Sequence, residues 1–143
     1  MSITVLANID VDDLELATQF YCSALELTVG RRFSHSAVEL LGGTSAIYLL
    51  KKDAGTAASS YAPQQRDYNR HWTPVHLDFV VPKIEPAVER ARNAGARLEG
   101  EVRTDKWGRI AAMADPFGHG FCLIEFLGRG YDEIANGATR EKA

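Results

Sequence analysis

Cysteine and long apolar runs are both scarce in this sequence. Only two cysteines, Cys22 and Cys122, occur among 143 residues. Two thiols cannot form a disulfide framework, so we expect a reducing cytoplasm in which each thiol is a small buried hydrophobic group. No apolar run reaches the roughly 18 residues that a membrane-spanning helix needs. Residues 1–10 lack the basic and then apolar order of a secretory signal. The sequence therefore predicts a cytoplasmic protein without a membrane span.

An excess of basic charge is also missing. Lysine and arginine number 16 against 19 acidic residues, the net charge is -3, and no run of five basic residues occurs. Proteins that bind nucleic acids usually present a basic face to the phosphates, so we expect no nucleic-acid partner. What the sequence does contain is 45% hydrophobic residues, which is enough for one ordinary folded core.

The first part of the chain alternates strand and helix signals. Residues 3–11 alternate apolar and polar side chains and are rich in β-branched types, which predicts a strand. Asp12 or Asp13 can cap a helix that continues to Leu25 on an apolar stripe of helical spacing. Three further strands are predicted, with Gly42-Gly43 as a hairpin signal before the last one: residues 27–33, 36–41 and 45–50.

Residues 52–72 have no clear period and interrupt this order. They include Gly55, Pro63 and a stretch of small polar residues, so we expect a linker of about twenty residues. A loop of that length inside a compact protein is usually functional or joins two units. Several aromatic residues make it a candidate lid or a contact with a partner subunit: Tyr61, Tyr68, His71 and Trp72.

After the linker the same order begins again. Residues 75–81 predict a strand, and residues 82–94 predict a helix that ends at Gly95. Three strands and a polar tail follow: residues 97–102, 107–114 and 121–126, and then the tail.

The chain is therefore predicted to be an α+β protein with two βαβββ modules. We expect a first module, a linker, a second module and a C-terminal tail at residues 1–52, 53–72, 73–128 and 129–143. Each module would have a sheet with its helix on one face and nothing on the other. Joined together, the bare faces would form a curved mixed sheet around a concave cup, with the helices on the outer face, and a ligand would lie in the cup.

Three sequence motifs carry a resemblance to a known family. The first is Val-Asp-Asp-Leu at residues 11–14, followed by Phe20-Tyr21 and Leu-Glu-Leu at residues 25–27. The second is His-Leu-Asp-Phe-Val-Val at residues 76–81, and the third is Asp-Pro-Phe-Gly at 115–118 with the strand that ends in Glu125 and Phe126. Together they resemble the vicinal-oxygen-chelate superfamily, which includes glyoxalase I, bleomycin-resistance proteins and extradiol dioxygenases.

The resemblance implies a metal site at His76 and Glu125. Metal-dependent members place ligands on the first and the last strand of a module, and these two residues match those places in the second module. Imidazole and carboxylate suit Zn, Fe, Mn or Ni. We expect the helix to cover Cys122, Ile124 and Phe126, so that Glu125 faces the cup. Without a metal, His76 and Glu125 could instead serve as an acid/base pair.

The first module departs from the family pattern. Leu6 stands at the place of His76, and Leu50 or Leu49 stands at the place of Glu125, and leucine cannot bind a metal. Asn8 shares the face of Leu6 and could add its carbonyl oxygen. Some members of the superfamily build the cup across a dimer, so a homodimer is expected and the partner chain could also contribute.

Other candidate substrate-binding residues have a plainer alternative. Tyr48 either donates a hydrogen bond to a ligand or packs as an aromatic, and Asp78 either faces the cup or pairs with an arginine. Trp107 could form an apolar wall and Arg109 could hold a carboxylate, although both could equally be surface or dimer contacts. His119 is expected to be a solvated turn residue.

Two functions from different classes fit these expectations, and a structural role is a third. The first is a lyase or dioxygenase of the glyoxalase type with an incomplete metal site. The second is a metal-free protein of the bleomycin-resistance type that holds a small molecule, such as a drug or antibiotic, in an apolar cup. The third is a diverged copy whose cup is filled by its own side chains. The substrate does not follow from the superfamily, because one fold supports many reactions.

Overall fold

A computed structural model describes residues 1–137 of the chain. Its elements are, in order, β1 (Ala7–Val11), α1 (Leu14–Leu25), β2 (Thr28–Phe33), β3 (Ala37–Leu41), β4 (Ile47–Lys51), β5 (Ala57–Ser59), β6 (Ala62–Gln65), β7 (Leu77–Val80), α2 (Ile84–Ala94), β8 (Arg97–Thr104), β9 (Gly108–Ala114), β10 (Gly120–Phe126) and a 3-10 helix (Gly130–Glu133). The predicted tail extends through residues 138–143, which lie outside the described part.

The two halves repeat one topology. The first sheet has the order β1-β4-β3-β2 and the second has the order β7-β10-β9-β8. In each sheet the first and last strands of the module pair in parallel and the others pair antiparallel. The α+β fold with two βαβββ modules is therefore confirmed. Within the described residues the strands form two separate four-stranded sheets, whereas one curved mixed sheet was expected.

Helix boundaries follow the predicted caps. The Asp13 carboxylate accepts a hydrogen bond from the Leu16 N–H at 3.0 Å, which satisfies one free donor of the first turn of α1. Gly95 ends α2 with a φ of 122°, a conformation that favours glycine. The first strand is shorter than predicted and begins at Ala7, because β4 begins at its register partner Ile47. Residues 1–6 have no strand to pair with and are exposed.

One core joins the two modules. The helices α1 and α2 pack against each other, and each also packs against the sheet of its own module. Alternate strand residues that face the helices form this core, among them Leu40 and Leu49 in the first sheet and Met113 and Leu123 in the second. The other residues of each strand lie on the sheet surface that no helix covers. We call this surface the open face; in the second sheet it carries Asp78, Val80, Ala112, Cys122 and Ile124.

The linker is more ordered than predicted. β5 and β6 form a two-stranded antiparallel sheet inside it. Arg66, just after β6, donates to the Asp10 carboxylate of β1 at 2.8 Å, which fastens the linker to the first module. No helix within residues 1–137 is long and apolar enough to span a membrane.

Candidate functional site

Glu125 faces the helix side of the second sheet, so its predicted orientation is wrong. Its carboxylate accepts a hydrogen bond from the Ile84 N–H at 2.8 Å, at the first turn of α2. Lys83, which precedes that turn, makes no side-chain cap of its own. Glu125 is 6% exposed, and the helix N-terminus offers a buried carboxylate both a donor and a favourable dipole. Its interaction is therefore a helix cap inside the fold.

The error came from choosing between two apolar sets on one strand. Phe121 and Leu123 belong to the core beneath the helices, while Cys122 and Ile124 lie on the open face. All four are buried, so alternation alone could not decide which pair the helix covers. The hydrogen bond between Glu125 of β10 and Ile84 of α2 shows which pair faces the helix, and a sequence pattern does not contain this contact.

The open face gathers three side chains that can bind a metal. Cys122 of β10 is the register partner of Asp78 of β7, and His76 precedes β7 on the same side. The ligand atoms of the three residues all lie within 4.8 Å of one another. His76 Nε2 is 3.2 Å from the Asp78 carboxylate, so Asp78 pairs with this histidine and not with an arginine, which was one of its two predicted alternatives. His76, which was predicted to pair with Glu125, lies beside Asp78 and Cys122 instead.

Cys122 carries a protonated thiol in this setting. Burial is the largest cause that raises its pKa, and the charge of Asp78 and a hydrogen bond to that carboxylate raise it further, to about 11. The Arg103 guanidinium opposes this shift and does not cancel it. A free thiol at neutral pH would therefore be inert, and a metal would have to displace its proton.

The donor set fits a borderline-soft divalent ion. Imidazole nitrogen, carboxylate oxygen and thiolate sulfur are the ligand types that Zn²⁺ accepts, and a catalytic zinc typically has three protein ligands and one open position. His76, Asp78 and Cys122 supply one atom of each type from two neighbouring strands. His76 and Asp78 are exposed, so the fourth position would face solvent.

An exposed indole lies beside this cluster. The Trp72 ring contacts the His76 ring edge to face with centroids 5.7 Å apart. Its Nε1–H donates to Glu99 at 3.0 Å, and the Arg70 guanidinium lies 4.8 Å from the ring centroid. The ring also lies against Gly120, where an added Cβ would be 2.5 Å from the indole. Glycine at 120 therefore makes room for a fixed, flat apolar surface next to His76.

A groove connects this region to the junction of the modules. It has a volume of about 1020 Å³ and lies between the edge strands β1 and β7 and the facing parts of the two helices. Asp78 and Val80 belong to its lining together with apolar residues such as Ala7 and Leu25. Its size is at the upper end of what small-molecule sites use.

The first sheet has different chemistry at the equivalent places. Asn8 pairs in register with Tyr48 as Asp78 pairs with Cys122, so Tyr48 is the counterpart of the cysteine. By the same register Lys51, and not Leu50 or Leu49 as predicted, is the counterpart of Glu125. The Tyr48 hydroxyl donates a hydrogen bond to the Glu39 carboxylate at 2.8 Å, so its partner is a side chain of the protein, whereas a bound small molecule was one predicted alternative. Asn8 is exposed and Leu6 lies before β1.

Glu39 is a buried carboxylate that the sequence analysis missed. Arg31 binds it through two side-chain nitrogens and its own backbone N–H, and with Tyr48 it lowers the pKa of Glu39 to about 2. The signal was a single charged residue within the apolar strand residues 37–41.

Two further candidates do not reach the open-face cluster. Arg109 is the register partner of Glu125, and its guanidinium pairs with Glu85 of α2 on the helix side. Trp107 packs against Phe126 and Tyr131 at the end of the second sheet, with centroids 6.2 and 5.0 Å away. Both side chains therefore make contacts within their own chain, away from the cluster. His119, expected to be solvated, is half-buried and hydrogen-bonded to the Asp10 carbonyl at 2.7 Å.

Comparisons with known proteins agree with this fold. A family model described as a glyoxalase-like domain matches residues 7–124. A protein of unassigned function from Mycobacterium bovis is 29% identical over 121 residues, which cover 79% of this chain and 76% of the relative. A glyoxalase/bleomycin resistance protein/dioxygenase family enzyme from Burkholderia phytofirmans has a TM-score of 0.68 at 20% identity, with 85% of this chain and 97% of that chain covered.

A second solved structure has the same fold. The fosfomycin resistance protein FosX from Listeria monocytogenes has a TM-score of 0.67 at 18% identity, with 89% of this chain and 95% of that chain covered. At these identities the structures show the fold alone. The family match spans most of the sequence, and this chain belongs to the glyoxalase-like domain family of the vicinal-oxygen-chelate superfamily.

Proposed function

We propose that the protein binds a small organic molecule against the open face of the second sheet, and that His76, Asp78 and Cys122 hold a divalent metal there. The observation that carries this proposal is the convergence of three ligating side chains within 4.8 Å on a face that no helix covers. Zn²⁺ suits this mixed set of ligands well, because the thiolate of Cys122 disfavours harder ions such as Mn²⁺. Bound there, the ion would act as a Lewis acid toward oxygen atoms of the ligand.

Each residue of the site has a separate task in this proposal. Asp78 supplies one carboxylate oxygen beside His76 Nε2, 3.2 Å away, and its other oxygen can accept a proton from a bound molecule. Trp72 provides a flat wall at the edge of the cluster and excludes water from one side of a bound molecule. The groove that Asp78 also lines gives room for the remainder of the molecule. In its enzymatic form this is a lyase or a dioxygenase of the glyoxalase type.

A metal-free binding protein is the second candidate. It is supported by the apolar part of the groove lining, which includes Ala7 and Leu25. The first sheet adds no obvious ligand, because its counterpart Tyr48 is bound to Glu39. In this form the groove and the Trp72 ring would hold an apolar or aromatic compound, such as a drug or antibiotic, without chemistry.

We also propose that the functional unit is a cytoplasmic homodimer. Several large apolar side chains on or near the open faces are exposed, including Leu6 at 51%, Val80 at 58% and Phe126 at 40%. A second copy would cover such side chains and could bring the open face of its first module to the His76 cluster. Sedimentation equilibrium should give twice the monomer mass, and a monomer at all concentrations would refute this part.

Metal content and ligand binding together test the two candidates. Protein purified without chelator should contain divalent metal, and Asp78→Asn should hold about one ion per chain fewer than Glu125→Gln, whose side chain lies on the other face. A panel of small aromatic and oxygen-rich compounds should then quench Trp72 fluorescence, in a Trp107→Phe background. Metal-free wild-type protein that still binds a compound supports the second candidate, and equal metal loss in both variants refutes the site.

A further inference from the structure

Two histidine rings lie close together where the linker crosses the second module. His71 of the linker and His119 of the turn before β10 form an isolated parallel bridge, and the His71 N–H donates to the Gly118 carbonyl at 2.9 Å. The approach is tight, because a Cβ at Gly118 would lie 2.5 Å from the carbonyl oxygens of Tyr68 and Asn69. The backbone therefore fixes the positions of both imidazole rings.

Each ring has an inner nitrogen, which faces the other histidine, and an outer nitrogen, which faces a backbone carbonyl. The carbonyl fixes the protonation of the outer nitrogen. His71 Nδ1 is 2.7 Å from the Asn69 carbonyl, and His119 Nε2 is 2.7 Å from the Asp10 carbonyl. A carbonyl oxygen only accepts hydrogen bonds, so both outer nitrogens must carry hydrogen. In neutral rings the inner nitrogens, His71 Nε2 and His119 Nδ1, then each present a lone pair, and they are only 3.2 Å apart. Two lone pairs at this distance repel, so a positive species belongs between them.

We propose that His71 Nε2 and His119 Nδ1 together bind a divalent transition metal ion of the zinc type, with water in the remaining positions. Two imidazole nitrogens about 2.0–2.1 Å from one tetrahedral zinc lie roughly 3.3 Å apart, which the pair matches. Histidines that bind a metal usually donate their other N–H to a carbonyl or carboxylate, and both rings do so. This site is independent of the proposed open-face site.

The ring orientation favours a metal over a shared proton. The two ring planes are nearly perpendicular, at 88°, and their centroids are 5.1 Å apart. If the two inner nitrogens pointed straight at each other, the centroids would be farther apart than this, because each ring radius would add in full to the N···N distance. The rings therefore meet at an angle. A proton shared between two nitrogens favours the in-line arrangement. A tetrahedral ion, by contrast, requires its two ligands to approach at an angle.

The surrounding charges can accommodate a cation. Arg66 is paired with Asp10 at 2.8 Å and Arg70 with Glu99 at 2.6 Å, so both nearby arginines have carboxylate partners. One oxygen of the Asp115 carboxylate accepts a hydrogen bond from the backbone N–H of His119 at 2.9 Å. The other oxygen accepts from the Tyr21 hydroxyl, a neutral donor. The Asp115 carboxylate, whose hydrogen-bond donors are all neutral, is therefore adjacent to the histidine pair. With two protein ligands, the site should bind reversibly.

A bound ion would couple three parts of the chain. His119 is held to β1 through the Asp10 carbonyl, and His71 immediately precedes Trp72, the ring beside the open-face cluster. Zinc at this pair should therefore raise the melting temperature and alter Trp72 fluorescence, even where the open-face ligands are absent.

Calorimetric titration of the full chain with zinc tests the proposal. The background variant His76→Gln/Cys122→Ser removes two ligands of the open face and should still bind about one zinc ion. Adding His71→Gln, or separately His119→Gln, should weaken that binding about tenfold or more. Glutamine at 119 can still donate to the Asp10 carbonyl, which protects the fold. No zinc binding in the background, or binding that neither substitution weakens, overturns the proposal.

Nitrogen NMR of the histidine rings in the wild-type chain gives a test without substitutions. The metal-free protein should show hydrogen on His71 Nδ1 and His119 Nε2, and zinc should shift the resonances of the two inner nitrogens. A third ring proton on the pair at neutral pH, with inner-nitrogen resonances that zinc leaves unchanged, would show a shared proton instead and overturn the metal site.

Discussion

The Glu125 carboxylate accepts a hydrogen bond from the Ile84 backbone N–H at 2.8 Å, and this contact lies on the face of β10 that α2 covers. Because Glu125 points toward α2, the strand alternation turns Cys122 to the other side, where Asp78 and His76 lie. The helix cap and the candidate metal cluster are therefore two consequences of the same register.

Removing this cap should destabilise the fold and leave the cluster intact. In Glu125→Ala the Ile84 N–H loses its buried acceptor, so the free energy of unfolding in urea should fall by about 1–3 kcal/mol. Glu125→Gln keeps a carbonyl oxygen at the same place and should lose less. If both variants had the free energy of unfolding of the wild type, the cap would make no contribution to stability.

Sequence patterns predicted the elements well because their signals are local. Asp13 lies at the start of α1, and Gly95 ends α2 with the positive φ that favours glycine. The face of β10 was not predictable in the same way, since both of its alternating sets are apolar. The choice depends on Glu125 meeting a helix start 41 residues earlier in the chain.

The Trp72 surface was beyond prediction for a similar reason. The ring depends on the absence of a side chain at Gly120, which is far from it in sequence. An aromatic residue in a linker and a glycine at a strand start are each unremarkable, and only the fold brings them together.

Gly120→Ala should displace the Trp72 ring. The new Cβ would lie 2.5 Å from the indole, so the ring must move away from His76, at a cost of about 1–3 kcal/mol for the overpacked contact. In a Trp107→Phe background, Trp72 emission should shift and ligand binding should weaken. Gly43→Ala is the matched control for the emission only, since its Cβ would have its nearest contact at 3.6 Å and Gly43 itself lines the groove. Unchanged emission in Gly120→Ala would count against the ring position.

Tyr21→Phe should lower stability by about 1.5–3 kcal/mol, because the buried hydroxyl donates to the Asp115 carboxylate. Asp115 also accepts from the Phe117 and His119 N–H groups, so the same change should loosen the turn before β10. Amide hydrogen exchange should be faster there. Tyr48→Phe is the comparison, because its carboxylate partner Glu39 keeps Arg31, and it should lose less stability.

Acid should destabilise the first module through Glu39. Its folded pKa, lowered by Arg31 from an ordinary 4.5 to about 2, means that its contribution is present above pH 4.5 and is lost as the pH falls toward 2. Melting temperatures measured between pH 6 and pH 2 should fall more steeply in the wild type than in Glu39→Gln. Parallel curves of melting temperature against pH for the two proteins would show that Glu39 does not cause the loss of stability in acid.

The open-face cluster is the central claim, and titration with Co²⁺ tests it most directly, because a cobalt–thiolate bond gives a charge-transfer band in the near ultraviolet. The band reports only the thiolate-bound ion, so it should rise to saturation in the wild-type protein and in Glu125→Gln alike. Cys122→Ser should abolish the band, and Asp78→Asn should weaken binding. A wild-type protein without a saturable band, or a band that survives Cys122→Ser, would contradict the assignment of His76, Asp78 and Cys122 as one metal centre.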